Sequence, residues 1–431
     1  MSANKIREIR EIRENPRFRH YPEYKDSGVE WIGEIPRHWD LSMLKYAARL
    51  VYGDTLISEN RGNGVVPVYG SNGIIDVHSS ANTLSPAIVV GRKGSLGKIQ
   101  YSDVPCFVID TAYYIDRRTS HVNLRWLYYI LQSLKLERFR NSVLPGLNRE
   151  STEGQYVPLI TAEEQTQIAN FLDRKTEQID ELIRIKERRI ELLQEQRIAR
   201  INQAVTKGLD PTVEMKPAGV EWIGKIPMNW DAVPLTKYLE SIIDYRGRTP
   251  EKTEDGRFLV TAKNIRDGQI NYEISREFTS EDEYQRIMTR GIPQIGDVLF
   301  TTEAPLGEVA NVDDVSIALA QRIIKFRPKQ DFLNPYFLKY WVLSYSFQFD
   351  LQRYATGSTA RGIKASKLCL LKLNLPPLKE QQKIVGYLDQ KTQETNQLIA
   401  TEQRKIELLK EYRQSLISEA VTGKIDVRNE V

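Results

Sequence analysis

A long-period internal repeat constrains this chain more than any single motif. Residues 28–40 read GVEWIGEIPRHWD and residues 219–231 read GVEWIGKIPMNWD. Residues 159–210 and 375–426 then align without a gap and are identical at about 22 of 52 positions. The shared pieces include Glu164-Gln165 with Glu380-Gln381, LD-KT (from Leu172 and Leu388), IELL (from Ile190 and Ile406) and AVT (from Ala204 and Ala420). Each copy must build the same supersecondary unit. Between these blocks the copies diverge, and the repeat offset grows from 191 to 216, so the second insert is about 25 residues longer. A duplicated frame with two different inserts suits one job done twice on two different targets.

The repeated blocks carry helical periodicity. From about Thr161, apolar residues recur at Ile168, Leu172, Ile179, Ile183, Ile190, Leu193, Ile201 and Ala204, mostly in steps of three, four or seven. The second copy runs Ile384, Leu388, Ile399, Ile406, Leu409, Ile417 and Ala420. This is the spacing of a coiled-coil seam, interrupted at matched positions by Lys186 and Glu402. Lys207-Gly208 followed by Asp210-Pro211 predicts the end of the first helix. A helix of 45 residues is about 68 Å long, and neither copy can bury its stripe alone, so the two are expected to pack together. The single linker at 209–217 reverses the chain only in an antiparallel pairing about a pseudo-two-fold axis.

The inserts read as mixed structure. Short β-type runs occur at 65–69, 88–90, 98–101 and 107–116, with a helix expected over 124–140. The second insert repeats the order at 258–261, 297–301, 308–312 and 316–326. A helix follows, opened by Asn334-Pro335, a cap and first-turn pair, and a core strand is expected over 368–375. The predicted class is α+β: two α+β domains joined by two long antiparallel coiled-coil helices, in a pseudo-two-fold internal repeat. The expected division is a helical arm at 1–20, a first domain at 21–158, a spacer helix at 159–210, a second domain at 211–374, and a second spacer helix with its tail at 375–431.

No run approaches the roughly 18 apolar residues of a membrane span, and residues 1–15 alternate charge with isoleucine rather than forming a signal-peptide core. The two cysteines, Cys106 and Cys369, sit among apolar neighbours and read as buried, reduced thiols, which points to the cytoplasm. Four scattered histidines offer no ligand spacing, so no metal site is expected. The net charge of +4 is unevenly spread. Residues 117–149 hold seven basic side chains against one acid, and 321–372 hold ten against two, both interleaved with aromatics such as Trp126, Tyr128, Tyr336 and Trp341. Residues 273–314 hold ten acids against three bases. A basic, aromatic-rich stretch at the same place in both repeats favours a polyanion partner, nucleic acid first, over an ordinary solvated face.

Individual motifs give contact candidates and no catalytic residue. Residues 91–97, GRKGSLG, lack the GK[ST] ending of a nucleotide loop and precede a strand-like run; Arg92 and Lys93 on that turn remain candidate DNA contacts. Residues 334–337, NPYF, read as a helix cap rather than a methyltransferase motif. The loop at 356–364 offers Thr356, Ser358, Arg361 and Lys364 to phosphate oxygens, and Asn148 and Arg149 sit in the matching loop. Aligning 68–73 with 260–265 sets Asn72 against Asn264 and Ser71 against Lys263; with Tyr69, Arg266 and Thr302 these are candidate base or phosphate contacts.

With these residues in view, the chain resembles the specificity subunits of type I restriction–modification systems over essentially its whole length. The resemblance rests on the paired VEWIG-IP--W blocks, on Leu375-Pro-Pro-Leu-Lys-Glu-Gln381 at the second helix, and on the IELL–AVTGKID tail at 406–426. The first copy, 159–165, lacks both prolines. The resemblance implies two target-recognition domains on double-stranded DNA. It also implies docking of two methyltransferase subunits and two restriction (motor–nuclease) subunits, with S-adenosylmethionine, ATP and Mg bound by those partners and no cofactor by this chain. A non-catalytic two-domain protein-binding scaffold is the alternative.

Overall fold

The structure, a computed structural model, describes all residues except 1–17, 140–145, 248, 358–360, 429 and 431. The expected N-terminal arm, apart from its last residues, and Ser358 thus lie outside the described residues. The chain divides into two compact units, residues 1–187 with 404–431, and residues 188–403.

In the first unit, strand Tyr24–Asp26 pairs with Glu34–Pro36 of the first repeated motif in a hairpin. Asp40–Met43 then pairs with Tyr156–Leu159, which brings the two ends of the insert together. Between them lies an antiparallel four-stranded sheet in the order Val51–Tyr52, Ala112–Asp116, Ala87–Gly91, Ile99–Ser102. Its two central strands are buried throughout. A three-stranded sheet joins Gly73–His78 to Val66–Gly70, and Val66–Gly70 in parallel to Phe107–Val108.

The second unit repeats the main sheet order and adds one hairpin, Ile265–Arg266 with Gln269–Ile270. Met215–Pro217 pairs with Lys225–Pro227, and Asp231–Pro234 with Lys372–Leu375. Its four-stranded sheet runs Leu239–Asp244, Ile323–Pro328, Val298–Thr302, Leu306–Asn311. Arg257–Val260 again pairs in parallel, here with Ala318–Leu319. Most of the extra length falls between Val260 and Val298, where helix Glu281–Met288 lies; the rest is near helix Tyr345–Tyr354. Both α+β domains were expected, but two elements and one cysteine differ from expectation. The helix predicted over 124–140 spans Leu124–Ser133, because Lys135 adopts φ 49° and breaks it. The strand predicted over 368–375 is a 3-10 turn, Ala365–Leu370, followed by a short strand from Lys372. Cys106 is buried as expected, whereas Cys369 on that turn is exposed.

The long helices are Ala162–Lys207 and Leu378–Val421. In the second unit Arg189 pairs with Glu402 at 3.3 Å and Arg197 Nη1 donates to Asn396 Oδ1 at 2.9 Å, so partner numbers fall as residue numbers rise. The helical segments there run antiparallel. In the first unit Arg413 pairs with Asp180 at 3.0 Å. Leu172, Ile183, Ile201, Leu388, Ile399, Ile406 and Ile417 are buried. Ile190, Leu193 and Leu409, expected in the same seam, are only half-buried.

The shared letters of the repeat anchor each domain to its helix. Gln165 Oε1 accepts from Asn123 N at 2.8 Å, and Gln381 Oε1 accepts from Asn334 N at 2.8 Å. Asn123 and Asn334 in turn cap the helices Leu124–Ser133 and Pro335–Leu343. Tyr129 donates to Asp173 and Tyr340 to Asp389, both at 2.6 Å. The first copy works without the prolines because Thr161 Oγ1 caps the helix, accepting from Glu164 N at 3.2 Å. Trp39 and Trp230 are fully buried over the helix ends. A Cβ on Gly423 (φ 72°) would lie 2.8 Å from Trp39 Cζ3, so this turn requires glycine.

Candidate DNA interface

In the first unit three loops meet where Gly91 pairs with Ala112. A Cβ on Gly91 would sit 2.1 Å from Ser95 O and 2.8 Å from Ser71 O, so only glycine lets the turns at 71 and 92 touch. Arg92 N and Lys93 N donate to Thr111 O at 2.9 and 3.0 Å, and Leu147 N donates to Arg92 O at 2.8 Å. These backbone bonds fix Arg92, Lys93, Ser71 and the loop carrying Asn148 and Arg149 as one tip. The Arg92 guanidinium lies 4.8 Å from the Tyr52 ring and that of Arg149 lies 5.3 Å from it. Arg92 Nη1 also donates to Asp110 O at 3.0 Å. Beneath them the Tyr113 hydroxyl donates to Leu147 O at 3.1 Å; burial first, and then the neighbouring Tyr52 hydroxyl, push it up to about 12. It stays neutral at physiological pH and holds the loop as a donor.

This tip gathers most of the candidates predicted for the first domain, and three of them have defined local surroundings. Asn148 caps helix Arg149–Glu153, accepting from Ser151 N at 2.9 Å. Asn72 is exposed, with its Oδ1 accepting from Lys98 Nζ at 2.9 Å. Tyr69 is a correction: it is buried in the cluster with Val89 and Val108, and serves packing. Sequence reasoning missed Lys45, Tyr46, Arg49 and Tyr52, which line one groove with Arg149. Their signal lies in the cations interleaved with aromatics over residues 45–52, outside the basic stretch at 117–149.

The second unit builds the same tip with other side chains. Thr302 N donates to Arg322 O at 2.9 Å, and Ile363 N to Thr302 O at 3.0 Å, repeating the bonds of Arg92 and Leu147. Thr302, Glu303, Thr356, Lys364 and Arg246 line one concavity there. Arg361 is exposed nearby, its Nη1 donating to Gln352 Oε1 at 2.9 Å. Three expectations are corrected. Thr302 is buried and its hydroxyl donates to Arg322 O, which leaves it nothing for DNA. Asn264 is fully buried, its Oδ1 accepting from Thr261 N and its Nδ2 donating to Asn271 O and Ile274 O; a base reader cannot be buried so. Arg266 turns to Glu308 at 3.8 Å rather than to this tip.

The parallel register also moves the internal alignment by one residue. Tyr69 pairs with Val108 as Val260 pairs with Leu319, so Tyr69 matches Val260 and exposed Asn72 matches exposed Lys263. Among the described residues no cluster of His, Cys, Asp and Glu is placed to hold a metal ion. No helix among them is long and apolar enough to cross a membrane.

The tips are thus cationic, built on loops, and matched in backbone while different in side chain. A family model described as the type I restriction modification DNA specificity domain matches the chain twice, over residues 36–194 and 236–408. The chain belongs to that family. It is 26% identical over 314 residues to the type I restriction enzyme MjaVIII specificity subunit of Methanocaldococcus jannaschii, covering 70% of this chain and 71% of that one. It is 23% identical over 320 residues to the EcoBI specificity subunit of Escherichia coli, covering 70% and 66%. A chain of a solved type I restriction–modification assembly shares the fold, with a TM-score of 0.64 at 16% identity, covering 92% of this chain and 99% of that one. This specificity subunit is a non-catalytic DNA-recognition component of a type I restriction–modification system, whose enzymatic activities reside in other subunits.

Proposed function

We propose that the two specificity domains read different halves of one asymmetric, bipartite double-stranded DNA target. The observation that carries this reading is the pair of tips with one backbone and different side chains: Arg92 against Thr302, Lys93 against Glu303, Asn148 against Lys364, Asn72 against Lys263. Matched backbones present their loops alike, so the exposed side chains that differ, Asn72 and Lys93 in one domain, Lys263 and Lys364 in the other, select different bases. The contacts assigned to the first domain are Ser71, Asn72, Arg92, Lys93, Arg149, Lys45 and Arg49; to the second, Lys263, Thr356, Arg361, Lys364 and Arg246. The long helices set an unread gap on the scale of one DNA turn, about 34 Å. Apolar side chains left exposed along them, Leu182 and Ile185 in one unit, Leu192 and Leu398 in the other, support docking of partner subunits.

The assembly proposed has two methyltransferase and two restriction subunits, which bring S-adenosylmethionine, ATP and Mg, and it acts in the cytoplasm. Mapping methylated adenines in cells carrying the system tests the reading. A split, asymmetric motif is expected, and exchanging residues 21–158 for another member's domain is expected to change one half only. A continuous or palindromic motif, or a swap altering both halves, overturns it.

A further inference from the structure

Arg322 holds a backbone conformation that its side chain makes costly. Its φ is 75°, in the left-handed region where glycine is at ease and arginine is not. Thr111, at the matching position of the first unit, is not among the residues with positive φ. The carbonyl of Arg322 accepts from both Thr302 N and Thr302 Oγ1, which ties this conformation to the tip. Glycine would satisfy the same backbone bonds without strain. A strained arginine with an exposed side chain, on the loop cluster that carries Lys364 and Arg246, implies that the side chain itself has a task.

Glu303 indicates which task. Its Oε1 lies 2.8 Å from Arg322 Nε, with both side chains about half exposed, 40% and 47%. Glu303 is itself fixed by a backbone bridge to Gly362. A carboxylate on a DNA-facing tip repels phosphates, so a phosphate contact gains nothing from it. A base contact gains orientation: the ion pair restrains the guanidinium on the tip, and its terminal Nη groups form a planar pair of donors. Such a pair matches the O6 and N7 acceptors of guanine in the major groove. In the first domain the matched positions are Lys93 and Thr111, so this device has no copy there.

We propose that Arg322 reads a guanine in the half-site of the second domain and that Glu303 is its positioning residue. The inference rests on the DNA-reading role above. Selection of bound duplexes from a random library by the full chain, followed by sequencing, separates the two. A wild-type chain that enriches no motif sinks the DNA-reading role, whatever Arg322 does. Given a wild-type motif, Arg322→Ala and Arg322→Gly are each expected to turn one guanine position degenerate, losing about tenfold or more in preference, with every other position kept. Arg322→Gly is expected to melt no lower than wild type, because it relieves the backbone. Glu303→Gln is expected to weaken preference at that same position only. An unchanged motif, a uniform loss across all duplexes with the salt slope reduced by about one, or an effect of Glu303→Gln at a different position would each overturn the assignment.

Discussion

Replacing Gln381 by alanine tests the claim that the repeated glutamines hold each domain on its helix. The Gln381 side chain is fully buried. Its Oε1 accepts from Asn334 N, and its Nε2 donates to Phe332 O and Pro376 O, all at 2.8 Å. Alanine leaves three backbone groups without this partner, and an unsatisfied buried group costs about 1–3 kcal/mol. Phe332 is exposed and water can reach its surroundings, so its carbonyl counts least. The expected loss is about 3–5 kcal/mol. Gln165 makes two such bonds, to Asn123 N at 2.8 Å and Ile160 O at 3.0 Å, so Gln165→Ala should cost less, about 2–3 kcal/mol. Urea unfolding gives the totals, and hydrogen exchange assigns them to a unit. Gln381→Ala should expose the Asn334 amide and deprotect residues 188–403 while sparing the first unit. Losses under about 1 kcal/mol, or a larger loss for Gln165→Ala, would refute the reasoning.

Two further outcomes follow from buried groups. In the second unit Asp297 bonds both Lys325, whose side chain is fully buried, and Arg327, at 3.0 and 2.6 Å. Burial pushes the Asp297 carboxyl up, but the Arg327 hydrogen bonds, the Gln294 amide and Lys325 outweigh it and hold it below the ordinary carboxylate range. A depressed folded value means the stabilisation is present above the unfolded value, about 3.9, and is lost as pH falls through the folded one. Asp297→Asn should therefore cost about 3–5 kcal/mol at neutral pH, by leaving the Lys325 charge uncompensated, and should flatten the acid limb of a stability-versus-pH profile; an unchanged limb would show the triad to be incidental. Along the helices, Leu388→Ala and Ile417→Ala should cost about 2–5 kcal/mol each. Half-buried Leu193 and Leu409 should cost roughly half as much, and equal costs in thermal or urea unfolding would mean that their burial does not govern the seam.

The frame was legible in the sequence because its chemistry is local and periodic. The apolar seam from about Thr161 and the Lys207-Gly208 stop locate the first long helix, which spans Ala162–Lys207 inside the expected 159–210. The tips were half legible. Glycines and cations marked the turns, but which turns meet depends on strand order, and only the sheet brings residues 45–52 beside Arg149. The match of Asn72 with Asn264 failed for a related reason. Short strands without a sequence match leave register open by one residue, and a one-residue shift turns an exposed side chain into a buried one. Asn264 looked like a reader because amides suit both adenine and turns, and the turn has it.

The same contrast explains how one frame carries two different readers. The bonds common to both tips run between backbone atoms: Arg92 with Thr111 and Leu147 in one domain, Thr302 with Arg322 and Ile363 in the other. Backbone bonds are indifferent to side-chain identity, so Arg92 can stand where Thr302 stands, and Lys93 where Glu303 stands, without altering the fold. The frame has no such freedom. Gln165 and Gln381 satisfy buried backbone groups with side-chain atoms, and Asp173 and Asp389 clip tyrosines at 2.6 Å, so only those residue types serve. Side chains hold the frame, while the bonds that match the two tips are backbone bonds, which leaves exposed tip side chains such as Lys93 and Lys364 available for recognition.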